Sequence, residues 1–273
     1  TVDNLYTTID KKNYGVGINK GTITVNGKNS IAFAMLKGGD SSNSGDLIVN
    51  PLTATVAQSS TAFYGEQGNF ANSGNITVNT PAKTGNIGVL LKGPDTATPI
   101  NFKNTGNISV QGKGNIGVYG EGKYTFNHEK NDTGTNKISV GTNAVGIYAK
   151  NEGILNIKAP IDIADSGTGV NAGTTIGIVS DGNANVNFGT GSKLTIGEKA
   201  VGIYSADSKE LSNTFKIKNG ELLNVELRKN SAFALVSGNH NTGSPDLSKF
   251  FNGNENPTGN GIKISRFEEG ATL

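Results

Sequence analysis

Cysteine and tryptophan are absent from this chain, methionine occurs once at Met35, and arginine only at Arg228 and Arg266. Without cysteine there is no disulfide, no iron–sulfur cluster and no thiolate zinc site. Two arginines leave few planar forks for gripping phosphate or carboxylate. The net charge is +2 over 273 residues, which argues against nucleic acid as a partner, since phosphate binding needs clustered cations. No apolar run exceeds six residues, so no transmembrane helix is encoded. Disordered chains pair few apolar residues with high net charge, and here that charge is missing. No segment of ten or more residues has a convincing helical period. The chain opens at Thr1 with neither an initiator methionine nor a signal peptide, and reads as a piece of something longer.

Glycine is what the chain has in excess, 39 of 273 residues, about twice its ordinary share. The glycines belong to a repeat. Residues 69–78, Asn-Phe-Ala-Asn-Ser-Gly-Asn-Ile-Thr-Val, return at 101–110 as Asn-Phe-Lys-Asn-Thr-Gly-Asn-Ile-Ser-Val. A second element, Ile116-Gly117-Val118-Tyr119, returns as Val145-Gly146-Ile147-Tyr148 and Val201-Gly202-Ile203-Tyr204. Looser copies put the residue after the small one at 33, 63, 89, 118, 147, 178, 203 and 233, a period near 29 that wanders by a few residues.

Inside each period the apolar residues alternate, which is the signature of strands. One strand carries Ile-x-Val-type pairs such as Ile76/Val78, Ile108/Val110, Leu194/Ile196 and Leu223/Val225. The next is the Ile-Gly-Val-Tyr element. A third ends in Phe70, Phe102, Phe126, Ile157, Phe188 and Ile217. Three strands and three corners per period predict an all-β chain, a right-handed parallel β-helix of about nine coils with three short strands in each. At ~4.8 Å per coil such a prism is roughly 43 Å long. A sandwich or barrel needs no repeat of this length. The expected organisation is a single β-helix segment: regular coils over 14–235, a long insert or cap over 236–261, and the start of a further coil or a tail over 262–273.

Asn-x-Gly-x-Ile-x-Val followed by Asn-x-Ile-Gly-Val-Tyr resembles the passenger domains of type V autotransporters, and the Lys/Asn-rich form is similar to the very large fusobacterial outer-membrane adhesins. The likeness spans roughly residues 14–235. It implies an extracellular passenger at the bacterial surface, followed elsewhere by a translocator barrel, with no membrane insertion by this segment. The partner it implies is a host-cell glycoprotein, glycan or receptor, or a neighbouring bacterium. The absence of cysteine fits export of an unfolded chain through a pore.

Two features are candidates for contact. If Ile and Val of Ile-Gly-Val-Tyr point inward, strict alternation turns the small column (Ala32, Ala62, Gly88, Gly117, Gly146, Gly177, Gly202, Ala232) and the aromatic column outward. Tyr64, Tyr119, Tyr148 and Tyr204 then form a strip along the prism, serving either as interface anchors or as covers for their glycine neighbours. The second feature is the inserts. Corners at 49–63, 78–89 and 163–178 are longer than the tight ones at 25–33 and 110–118, and all three fall at one edge. The opposite junction bulges at Lys92–Thr98 and Ala206–Ser212. The largest insert, Ser237–Asn260, holds Asp246, Lys249, Phe250 and Phe251 in a segment that can start a short helix.

Catalytic signatures fail on context. Gly112-Lys-Gly-Asn-Ile-Gly117 matches a dinucleotide fingerprint by letters, but a strand follows it, so it reads as a corner. His128 and His240 are 112 residues apart in loop-like settings, a poor basis for a metal pair or a serine triad. Of the sequons at Asn75, Asn107 and Asn131, the first two lie inside the repeat and read more simply as strand starts. Acidic residues are spread through the loops, and the pairs close in sequence, Asp162/Asp165 and Glu268/Glu269, read as solvated corner and tail residues rather than the acid–base pair of a glycan-cleaving β-helix enzyme. No cofactor is expected. The sequence thus points to a non-enzymatic adhesin segment, with a passive spacer and a glycan-cleaving enzyme as the alternatives.

Overall fold

A computed structural model of the protein describes residues 16–50, 59–80, 85–94, 98–168, 173–206, 215–217, 221–237 and 261–273. Each repeat contributes one strand to each of three sheets, of eight, nine and eight strands, and every strand pairs in parallel with the equivalent strand one repeat away. The result is a parallel β-helix with three strands per coil. The first sheet includes Gly68–Asn72, Ile100–Asn104 and Tyr124–Glu129; the second includes Ile76–Asn79, Ile108–Gln111 and Ile138–Val140; the third includes Ile87–Gly93, Ile116–Gly122 and Val145–Lys150.

The core is a set of vertical files. In the second sheet Leu47, Ile76, Ile108, Ile138, Ile161 and Leu194 stack in register, with Val49, Val78, Val110, Val140, Ile163 and Ile196 beside them, all buried. Burying each contributes on the order of 1.5–3 kcal/mol. In the first sheet Phe70, Phe102 and Phe126 form one file, and Phe63 from the third sheet wedges between its lower members, with ring centroids 4.1 Å from Phe70 and 4.9 Å from Phe102.

Three expectations about this register need correction. Above Phe126 the file continues through Leu155, Val186 and Phe215, whereas Ile157, Phe188 and Ile217 belong to the neighbouring file. In the second sheet Val225 and Leu227, rather than Leu223 and Val225, stand over Leu194 and Ile196. In the third sheet Ala234 and Leu235, rather than Phe233 and Ala234, follow Ile203 and Tyr204. Corner length varies from coil to coil, so a count from one landmark slips while the packing of the interior holds the stack.

The small column also faces the wrong way for the strip expected from alternation. Alternation breaks between Gly117 and Val118, both of which are buried, while Ile87, Ile116, Val145 and Ile176 are half-buried rather than core. A Cβ at Gly117 would stand 2.6 Å from the Gly146 carbonyl oxygen and 3.3 Å from Val110 of the core. The same is true up the column, where the Cβ of Gly146 would meet the Gly177 carbonyl and that of Gly202 the Phe233 carbonyl. Small residues are therefore required by the close approach of the next coil. Phe233 itself takes this slot in the last strand of the sheet, Ala232–Val236, beyond which only the Ala232–Thr272 bridge lies among the described residues, and Ala234 fills the core position in compensation.

The final strand, Gly261–Phe267, stacks on Leu222–Leu227 as the ninth strand of the second sheet, with a bulge opposite Val225 and Glu226.

Candidate functional site

The four tyrosines stand on the outer face of the third sheet, each half-buried. Their file is Ala34, Tyr64, Leu90, Tyr119, Tyr148, Val179, Tyr204 and Leu235. Tyr119 and Tyr148 are stacked, with centroids 5.4 Å apart and ring planes 24° from parallel. Two rings that close cannot lie flat side by side on a surface, so their faces turn toward each other along the prism and their edges turn outward.

Each of three hydroxyls donates to a carboxylate. Tyr64 reaches Glu66 Oε1 at 2.7 Å, Tyr119 reaches Glu121 Oε2 at 3.5 Å, and Tyr148 reaches Asp181 Oδ2 at 3.0 Å. Glu121 and Asp181 belong to a file of alternating sign, in which Lys92, Glu121, Lys150 and Asp181 succeed one another and Lys150 bridges Glu121 at 3.2 Å. Partial burial, with the carboxylate beside it, pushes the phenols of Tyr64 and Tyr148 up to about 12, and burial with Glu121 raises Tyr119 as well. Glu66→Gln removes the negative charge next to Tyr64, so alkaline difference spectroscopy is expected to show one tyrosine ionising at lower pH than in the parent protein.

The sequence reading missed an interior polar file. Asn43, Asn72, Asn104 and His128 stack in register in the first sheet, all buried. Each asparagine Nδ2 donates upward: Asn19 to Asn43 Oδ1 at 2.6 Å, Asn43 to Asn72 at 2.7 Å, Asn72 to Asn104 at 2.6 Å, and Asn104 to His128 Nδ1 at 3.0 Å. The other Nδ2 hydrogen goes to the carbonyl two residues on, Gly21, Gly45, Gly74 or Gly106, at 2.9–3.0 Å. His128 therefore stands within a strand, at the top of this ladder, and not in a loop. The recurring Asn-x-Gly has a physical meaning: the asparagine supplies a rung and caps its own corner, and the glycine lets successive corners touch.

A second ladder runs on the outside of the same sheet. Asn69 donates to Asp40, Asn101 to Asn69, Asn127 to Asn101, Asn156 to Asn127 and Asn187 to Asn156, at 2.8–3.3 Å. A third at the corner joins Asn107 to Asn75 and Asn75 to Asp46. Sequon residues Asn75 and Asn107 are thus rungs.

Asp246, Lys249, Phe250, Phe251 and His240 lie outside the described residues, as do the tips of the long corners at 51–58, 81–84, 95–97, 169–172 and 207–214. Gly112 and Gly114 occupy a corner with φ of 94° and 73°, ahead of the strand Ile116–Gly122. Among the described residues no three His, Cys, Asp or Glu side chains come together as a metal site, and no helix is long and apolar enough to cross a membrane. Compared with family models, curated proteins and solved structures, the chain matches none.

Proposed function

We propose that this chain is a non-enzymatic adhesive segment of a surface-displayed β-helix, an autotransporter-type passenger, that meets a host glycoprotein, glycan or receptor, or another bacterium. The observation that carries the reading is the outer face of the third sheet. There one file holds Tyr64, Leu90, Tyr119, Tyr148 and Tyr204 beside the half-buried Ile87, Ile116, Val145 and Ile176, with a file of alternating charge along its flank. Aromatic and apolar groups held by a rigid sheet lose little entropy on contact, and tyrosine is a frequent anchor at interfaces. The inserts, including the segment with Asp246, Lys249, Phe250 and Phe251, are the second contact element of the proposal.

Replacing Tyr119, Tyr148 and Tyr204 by threonine puts β-branched residues, which also favour strands, in their place. The triple variant is expected to lose host-cell or glycan-array binding by about tenfold or more, as loss of an interface anchor does. Unchanged binding in this variant and in a deletion of Ser237–Asn260 would end the proposal. A passive spacer is the second reading. It is favoured by the pairing of three tyrosine hydroxyls with Glu66, Glu121 and Asp181 inside the sheet itself, and it expects no binding by the intact segment.

A further inference from the structure

The hydrogens of the interior ladder can be counted. Asn104 spends one Nδ2 hydrogen on the Gly106 carbonyl and the other on His128 Nδ1. Nδ1 is therefore bare, the ring is neutral, and its one N–H is at Nε2, 3.3 Å from the Pro160 carbonyl oxygen. The ladder runs one way, and an acceptor is needed at its top.

A proton on Nδ1 would set two donors face to face. Turning the Asn104 amide does not relieve this. Its oxygen would then face the Gly106 carbonyl and its NH2 would face Asn72 Nδ2, so the fault passes down through Asn72 and Asn43 to Asn19, and every step sets an oxygen against a glycine carbonyl. Among the described residues no compensating charge is near. The strands paired with its own bring Asn104 from below and Ile157 from above, neither of them titratable. On its own strand Phe126 stacks on the ring at 6.4 Å, and the remaining inward titratable group is Tyr124, kept protonated by burial. Lys103, Glu129 and Lys158 are on the outer side of this sheet, where Glu129 is paired with both lysines at 3.1 and 3.5 Å.

We propose that His128 and the buried asparagine ladder form an acid-sensitive latch, in which protonation of the imidazole takes away the acceptor closing the ladder and opens the first sheet between Ile100–Asn104 and Tyr124–Glu129. This device is independent of the adhesive reading and of any ligand. Burial holds the imidazole down at about 4, from an ordinary value of 6.5. A group whose folded pKa is depressed favours the closed form above its ordinary value, and that advantage is lost as pH falls from 6.5 toward 4. Over this window the open form binds the proton and the closed form does not.

Hydrogen exchange on the intact chain tests it, with rates corrected for the intrinsic pH dependence of exchange. Protection of amides in 100–104 and 124–129 is expected to fall by roughly tenfold per pH unit between 6.5 and 4, while that in 193–196 and 201–205 changes far less. His128→Asn provides Oδ1 as an alternative acceptor, and its protection is expected to stay flat across the same window. Independently of any variant, the imidazole 15N spectrum of the parent protein is expected to show a neutral Nε2–H tautomer at pH 6. Protection that does not change with pH, an acid loss that survives in His128→Asn, or a ring that titrates near 6.5 would each overturn the latch.

Discussion

Asn72→Asp, a change of one atom in shape, is expected to destabilise the protein at neutral pH by about 4 kcal/mol, more than the outright deletion Asn72→Ala at about 3 kcal/mol. Asn72 lies at the centre of the buried ladder, with about 1% of its surface exposed. Its Nδ2 donates to Gly74 O at 3.0 Å and to Asn104 Oδ1 at 2.6 Å, and its Oδ1 accepts from Asn43 at 2.7 Å. Alanine leaves one donor and two acceptors without partners, each at about 1–3 kcal/mol before relaxation. Aspartate keeps the Asn43 bond but turns an anionic oxygen toward two acceptors, with no cation among the described interior residues to offset it.

The pH dependence separates the two variants. A carboxyl held among acceptors has its pKa raised by the fold, so its protonated form, which can donate one bond, is the one the folded chain prefers. The deficit of Asn72→Asp relative to the parent at the same pH should therefore shrink as pH falls through the raised folded value toward the ordinary carboxyl range. Asn72→Ala should keep a nearly constant deficit. Denaturant midpoints at pH 7 and pH 5 decide the matter, and equal, pH-independent deficits for both variants would mean that the ladder does not donate upward from Asn19 to His128.

The period and the three-strand coil were legible because paired inward residues such as Ile76/Val78 and Ile108/Val110 recur at fixed positions from the corner. The interior ladder was legible too, and was overlooked. Asn72 follows Phe70, Asn104 follows Phe102 and His128 follows Phe126 by two residues, and residues two apart in a strand share a face. Ending each strand at its phenylalanine hid the polar file behind an apolar expectation. The inward glycine column was not legible in the same way. It depends on a break in alternation at Gly117–Val118, and nothing in Ile-Gly-Val-Tyr marks that break. What fixes it is the distance to the neighbouring coil, a property of the stack that no single repeat contains. The tyrosines were correctly placed outside, but the Tyr119–Tyr148 stack, which turns their edges outward, comes from coil spacing.

Gly106→Ala is expected to cost about 3 kcal/mol or more, while the same substitution at Gly21, the equivalent corner of the first described coil, changes stability by about 0.5 kcal/mol or less. The two glycines occupy the same place in Asn104-Thr105-Gly106 and Asn19-Lys20-Gly21, and neither has a positive φ, so backbone strain is common to neither. A Cβ on Gly106 would overlap the carbonyl oxygen and carbon of Gly74 in the coil below, and one on Gly74 would overlap Gly45 in the same manner. These are backbone atoms held by parallel ladders on both flanks, with no flexible side chain to give way. Relief requires the coils to part, which would stretch the bonds of Thr105 N and Gly106 N to Asn72 O, now 2.7 and 3.2 Å, and the Asn72–Asn104 rung with them. At Gly21 nothing lies within 4 Å of the added Cβ. Gly134 gives a third comparison, with open space around it but φ of 65°, so alanine there should cost about 1 kcal/mol through conformation alone. Unfolding midpoints for the three alanine variants are expected to fall in the order Gly21, Gly134, Gly106, with Gly106 lowest. A Gly106 variant as stable as the Gly21 variant would show that coil-to-coil contact does not select glycine at this corner, and the Asn-x-Gly repeat would then need another cause.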